Sequence, residues 1–242
     1  KSTPEGARDF LVPSRMNPGT FYALPQSPQL FKQLLMVSNY DRYYQIARCF
    51  RDEDLRKDRQ LEHTQIDLEM SFINEEDIMG IVEGMVAHVF KGTKQIDLKL
   101  PLRRMPYKEA MEKYGCDKPD LRYGMEIYDL TPVFEKSGFK IFDETISGGG
   151  QIRGLCFTPP AGVEFSRKDF DDLTQWIKVY GPKGLAWFKV TGAAQVESPI
   201  QKFFDAARIG KVLQAVGAKP GDIVFMVADK FKVAAVALGA LR

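Results

Sequence analysis

The sequence predicts an α+β protein built around an antiparallel hairpin, and three observations carry that reading. Ile66, Leu68, Met70 and Phe72 alternate with Gln65, Asp67, Glu69 and Ser71, the period of a half-buried strand. Just beyond, Ile78, Ile81, Val82, Met85, Val86 and Val89 recur at helical spacing. After residue 125, strand-like runs at 151–158, 185–190 and 223–227 are interleaved with amphipathic helical patterns.

Taken in order, the first helix opens at Ser27 and Pro28: a side chain able to cap, then a residue with no amide hydrogen to leave unpaired. Leu30, Phe31, Leu34 and Leu35 give its apolar stripe, and Gln29 and Lys32 share another face. A lysine on a helix is ordinarily solvated; with Ser27 and Gln29 beside it, Lys32 becomes a candidate ligand.

The hairpin follows. Tyr44, Ile46 and Phe50 are assigned to one side of its first strand, and Gln45, Cys49, Arg51 and Glu53 to the other. Pairing it with 65–72 puts Arg51, Glu53, Gln65 and Asp67 on one polar face. Such a face packs poorly but makes a good floor for a charged substrate. Charge runs are by default solvated. Here the charges begin inside the strands, and the connecting residues 51–60 carry both signs without Gly or Pro.

Asn74 caps the next helix, with Glu75, Glu76 and Asp77 in the first turn where the helix dipole favours anions. Its apolar stripe reads as core, and His88 at the border as structural. Tyr107, Ala110, Met111 and Tyr114 form a short helix closed by Gly115. Gly148, Gly149 and Gly150 read as a flexible linker, because they lack the Lys-Ser/Thr context of a phosphate loop. Ser166 caps a helix carrying Phe170, Leu173, Ile177 and Tyr180; helices near 200–207 and 211–216 separate the last two strands, and Val233, Val236, Ala237, Ala240 and Leu241 give a closing helical pattern. Residues 125–242 thus read as one module and 1–124 as another.

At 242 residues, 44% apolar and 27% charged, the composition is that of a soluble globular chain, and no run approaches the roughly 18 apolar residues of a membrane helix. Cys49, Cys116 and Cys156 are widely spaced with no CxxC, which argues against a disulfide framework or zinc site and for a reduced, cytoplasmic setting. A net charge of +2 does not by itself argue nucleic-acid binding.

The run from Phe50 through Arg51, Asp52, Glu53, Asp54 and Leu55 to Arg56, closing with Thr64, Gln65, Ile66, Asp67, Leu68, Glu69, Met70, Ser71 and Phe72, resembles motif 2 of the class II aminoacyl-tRNA synthetases, specifically their bacterial aspartyl type. Three further blocks fit in the same order: residues 2–10 from Ser2 to Phe10, 26–33 from Gln26 to Gln33, and 117–122 from Asp117 to Arg122. The resemblance covers essentially the whole chain. It implies a partial antiparallel catalytic domain at 1–124, and at 125–242 the compact insertion called the GAD domain.

The resemblance also implies roles. Glu5 sits in a loop that closes over the ammonium of aspartate; Ser27, Gln29 and Asp67 help hold the amino acid, and Lys32 meets its side-chain carboxylate. Arg51 bridges the aspartate carboxylate and the α-phosphate as the catalytic cation, with Glu53, Gln60 and His63 at ATP. Arg56 and Arg59 face the acceptor end of tRNA. His63 stands where the family has a stacking Phe, and Leu61 where it has Pro; an imidazole is also planar. Implied with these are ATP as substrate, Mg in the complete enzyme, tRNA as partner, and a homodimer. No protein metal site is expected in the chain itself.

The resulting expectation is an ATP-dependent aspartate–tRNA ligase. Lys1 at the start and Arg242 at the end fall after motif 1 and before motif 3 of that family, so the chain reads as an excised, inactive piece. The alternative is a non-catalytic RNA- or protein-binding module with a synthetase-like fold.

Overall fold

The computed structural model describes residue 2 and residues 6–57 and 59–242. These are α+β, and they form two compact units that divide between 102 and 103, ahead of the 124/125 boundary drawn from the sequence.

The first unit opens with a small antiparallel pair, β1 (Leu11–Pro13) and β2 (Phe21–Ala23). Helix α1 (Gln29–Val37) leads into the hairpin of β3 (Arg42–Phe50) and β4 (Glu62–Met70), paired in unbroken register from Arg42↔Met70 to Phe50↔Glu62. Helix α2 (Glu75–Lys94) closes the unit. Its start matches the sequence reading: Asn74 accepts from the amides of Glu76 and Asp77, while Asp77 reaches back to the Asn74 amide. α1 begins one residue later than expected, with Pro28 in the capping position, although Ser27 Oγ still accepts from the Gln29 amide at 3.3 Å.

Which faces are covered differs from the sequence reading. No residue of α1 is buried; Phe31 and Leu34 of its apolar stripe stand 70% and 63% exposed, and Lys32 turns toward the hairpin instead. On the hairpin, Tyr44, Ile46, Ile66 and Phe72 are exposed, and the covered side carries Ala47, Cys49 and Asp67. Alternation identified residues that share a face, but the apolar side it marks for burial carries exposed residues and the polar side is the covered one. A buried ion pair to α1 decides it here. Likewise Ile81 and Val89 of α2 are exposed, and its one buried residue is Glu83, which accepts the Leu102 amide at 3.1 Å.

In the second unit, β5 (Ile127–Asp129), β6 (Gln151–Phe157), β7 (Ala186–Gly192), β8 (Gln195–Glu197) and β9 (Ile223–Asp229) form one antiparallel sheet in the order β5-β6-β9-β7-β8. Ile152, Phe188, Val224 and Met226 point to one side, where α4 (Thr131–Phe134), α5 (Lys140–Ser147) and α7 (Ala206–Val216) bring Phe134, Phe142 and Val212. Leu155, Trp187, Phe225 and Val227 point to the other, under α6 (Arg167–Ile177) and α8 (Phe231–Leu241). Two buried faces explain why these strands read as nearly continuous apolar runs.

Helix α3 (Tyr107–Tyr114) belongs to this unit because it packs on α8 backbone to backbone. A Cβ at Gly115 would lie 1.9 Å from the Ala235 carbonyl oxygen, and one at Gly239 would lie 2.5 Å from that of Tyr114. The buried Arg153 donates to the Glu112 carbonyl at 2.5 Å, and Arg242 donates to the carbonyls of Met125 and Asp120. Ser166 caps α6 as read from sequence. The three glycines at 148–150 are no linker: Gly148 ends α5, and a Cβ on Gly150 would meet Thr145 Cγ2 at 2.6 Å. The helix expected at 200–207 is a 3₁₀ turn at Gln201–Phe203, after which Asp205 caps the single helix α7.

Candidate functional site

Antiparallel register decides which side chains meet on the hairpin, because residues directly opposite project to the same side. The pairs Tyr43↔Glu69, Gln45↔Asp67, Ala47↔Gln65 and Cys49↔His63 therefore share one face, with α1 lying against it through Lys32. Gln65 and Asp67 lie there as anticipated, and His63 joins them.

At the centre, Asp67 is 4% exposed. Its Oδ1 accepts from Lys32 Nζ and from Gln65 Nε2, each at 3.0 Å, while its buried Oδ2 has no hydrogen-bond partner. Lys32 Nζ also lies 3.4 Å from Glu69 Oε2. Burial pulls the Lys32 ammonium toward neutrality, but the hydrogen bonds and charges of Asp67 and Glu69 outweigh it and hold its pKa above the ordinary value. Tyr43 donates to Gln45 Oε1 at 2.8 Å; burial first, then the Asp67 charge, raises its phenol. Cys49 Sγ reaches Gln65 Oε1 at 3.7 Å. Together these make a fixed cation flanked by carboxylates, with Asp67 Oδ2 left as an acceptor: groups able to meet a small ligand that carries both charges.

Arg51 follows Cys49 just past the end of β3. Its amide donates to the Leu61 carbonyl at 2.8 Å, and its Nε to the Gln26 carbonyl at 3.3 Å. Glu53 lies in the connecting loop and pairs with Arg59 at 3.1 Å. Arg56 and Arg59 form a turn there, both exposed, as is Gln60. Ser27 is 3% exposed and Gln29 half-buried at the start of α1. Glu5 lies outside the described residues.

Sequence reasoning missed Tyr43 and the buried Gln26. Tyr43 could have been found by carrying the alternation back from Gln45; Gln26 belongs to no periodic pattern. Among the described residues no three His, Cys, Asp or Glu side chains converge as a metal site. Nor is any described helix long and apolar enough to cross a membrane.

Residues 1–232 match the family described as tRNA synthetases class II (D, K and N). Over its whole length the chain is 56% identical to an aspartate–tRNA ligase of Clostridium perfringens, 55% to an aspartate–tRNA(Asp/Asn) ligase of Moorella thermoacetica, and 53% to one of that name from Persephonella marina. It spans 40% of the length of each of these relatives.

Proposed function

Because the chain belongs to the class II tRNA synthetases of the D, K and N group, we propose that the whole protein is an ATP-dependent aspartate–tRNA ligase. It activates aspartate as aspartyl-adenylate and passes the aspartyl group to the acceptor end of tRNA. The observation that carries this reading is the Lys32 ammonium held 3.0 Å from the buried Asp67, whose second oxygen is unpaired.

The aspartate α-carboxylate is itself the nucleophile toward the α-phosphate of ATP, so the protein needs to supply none. Its task is to bring two anions together and to oppose the charge that develops on the phosphate. Arg51 suits that task, since one planar guanidinium can touch carboxylate and phosphate together. Lys32 receives the side-chain carboxylate, and the free Asp67 oxygen accepts from the substrate ammonium. Ser27 holds the Gln29 amide, placing Gln29 beside them, and Glu5 completes the ammonium site. Glu53, Gln60 and His63 attend ATP, the His63 ring offering a plane for adenine. Arg56 and Arg59, on the exposed loop, face tRNA.

In this reading residues 1–124 are part of the catalytic domain and 125–242 the GAD insertion. The protein works in the cytoplasm as a homodimer, with Mg accompanying ATP. The test is exchange of labelled pyrophosphate into ATP by the whole protein, offered aspartate, asparagine or lysine in turn. Aspartate alone should support exchange; support by lysine or asparagine at a comparable rate would overturn the assignment.

A further inference from the structure

Residues 24–26 run as a strap between two segments that the reaction must bring together. On one side, the Phe50 amide donates to the Pro25 carbonyl at 2.9 Å, and Arg51 Nε to the Gln26 carbonyl at 3.3 Å. On the other, the Leu24 amide donates to the Phe10 carbonyl at 2.9 Å. The Gln26 side chain, 1% exposed, reaches the same N-terminal segment twice: Nε2 donates to the Ala7 carbonyl at 3.2 Å and to Asp9 Oδ1 at 2.6 Å. The segment then meets the residue after Arg51 directly. The Asp52 amide donates to the Arg8 carbonyl at 3.1 Å, the Arg8 amide to the Asp52 carbonyl at 3.4 Å, and Arg8 and Asp52 are ion-paired at 3.3 Å.

We infer that Gln26 is a positioning residue: its amide clamps residues 7–9 onto the strap while its carbonyl holds Arg51, so that the segment following Glu5 and the guanidinium are set as one piece. The aspartate part of this inference rests on the reading above. Both elements of the clamp point the same way chemically. A primary amide is the side-chain group that can donate to two acceptors at once without carrying a charge into a buried position. Asp9 is a suitable acceptor, because its hydrogen bonds from Ser2 and then Gln26 hold its carboxyl below the usual range and keep it ionised.

The clamp predicts that Gln26→Glu, nearly the same shape, sets two acceptors against each other. Amide exchange at Arg8 and Asp52 should then quicken about tenfold or more, with the amides of Ala47 and Gln65, a pair that bonds across the hairpin, unchanged. Adding Asp9→Asn restores a donor facing an acceptor at residue 9 with the roles exchanged, though not the bond to the Ala7 carbonyl, and exchange at both amides should slow part of the way back. In the whole protein the single substitution should raise the KM for aspartate on the order of tenfold while the KM for ATP stays within about twofold, and the swap should recover part of the loss. Unchanged exchange at Arg8 and Asp52, loss of protection throughout the hairpin, or a swap that restores nothing would overturn the clamp. An unchanged aspartate KM in an active enzyme would overturn its part in aspartate binding while leaving the ligase reading intact; an inactive wild type would instead count against that reading.

Discussion

Lys32 Nζ and Asp67 Oδ1, 35 residues apart in sequence, meet at 3.0 Å with side chains only 14% and 4% exposed. An ion pair this far from water persists because each charge is held by more than its partner: Glu69 also faces the ammonium, and Gln65 also donates to the carboxylate. Removing one member of such a pair costs more than the pair itself contributes. Lys32→Met should therefore destabilise the first unit by about 3 kcal/mol, leaving Asp67 buried without its cation. Asp67→Asn on that background should recover part of the loss. Urea denaturation of the four chains checks the cycle; strictly additive losses would mean that the two groups do not interact.

The same pair sets a pH dependence. The Lys32 pKa is raised on folding, so its contribution is fully present below the unfolded lysine value of roughly 10.4 and is lost as pH climbs through the higher folded value. Denaturation midpoints measured from pH 8 upward should fall at the alkaline end in the wild type and fall less in Lys32→Met. Equal alkaline slopes would assign the loss to other groups.

Cys156 is half-buried beside Asp222, its Sγ 3.6 Å from Oδ2. Burial, then the Asp222 charge, pushes the thiol up to about 12. Since the thiolate is the reacting form, Cys156 should resist alkylation at pH 8 in the folded protein and react once unfolded. Mass spectrometry of the modified peptides reads this directly. Asp222→Asn should speed the reaction, though only in part, because burial is the larger cause.

Where the second unit begins can be tested by truncation. Residues 103–124 carry α3, the Gly115 contact with α8, and the carbonyls of Glu112 and Asp120 that Arg153 and Arg242 engage. A piece spanning 103–242 should melt cooperatively, while 125–242 should melt lower and more broadly. Equal melting of the two pieces would move the boundary back to the one read from the sequence.

Local chemistry was legible in the sequence where a single residue type enforces it. Asn74 and Ser166 cap helices at the expected positions, and Gly115 ends α3 in the left-handed region at φ 66. Strands β6, β7 and β9 were found to within two residues at each end. The short elements α4, β5 and β8 hold three or four residues each, too few for any period to show. The covered face of the hairpin was missed for a different reason. Alternation marks the apolar side for burial, and here the side with Asp67 is covered instead, with Lys32 reaching down to it. Lys32, Asp67 and Arg51 were named from motifs; the hydrogen bonds that orient them, from Gln65 and to the carbonyl of Gln26, come from residues with no pattern of their own.

The most direct measurement is adenylate formation by the whole protein and its Lys32→Met variant, each offered aspartate and asparagine. The two amino acids differ little in shape but by one negative charge, so discrimination must come from the cation that meets the side chain. Removing it should lower catalytic efficiency with aspartate by about thirtyfold to several thousandfold, the equivalent of roughly 2–5 kcal/mol for a lost charged partner in a closed site. Asparagine should lose far less, so that the aspartate-to-asparagine ratio collapses. An unchanged ratio would contradict the account and return Lys32 to a purely structural ion pair with Asp67.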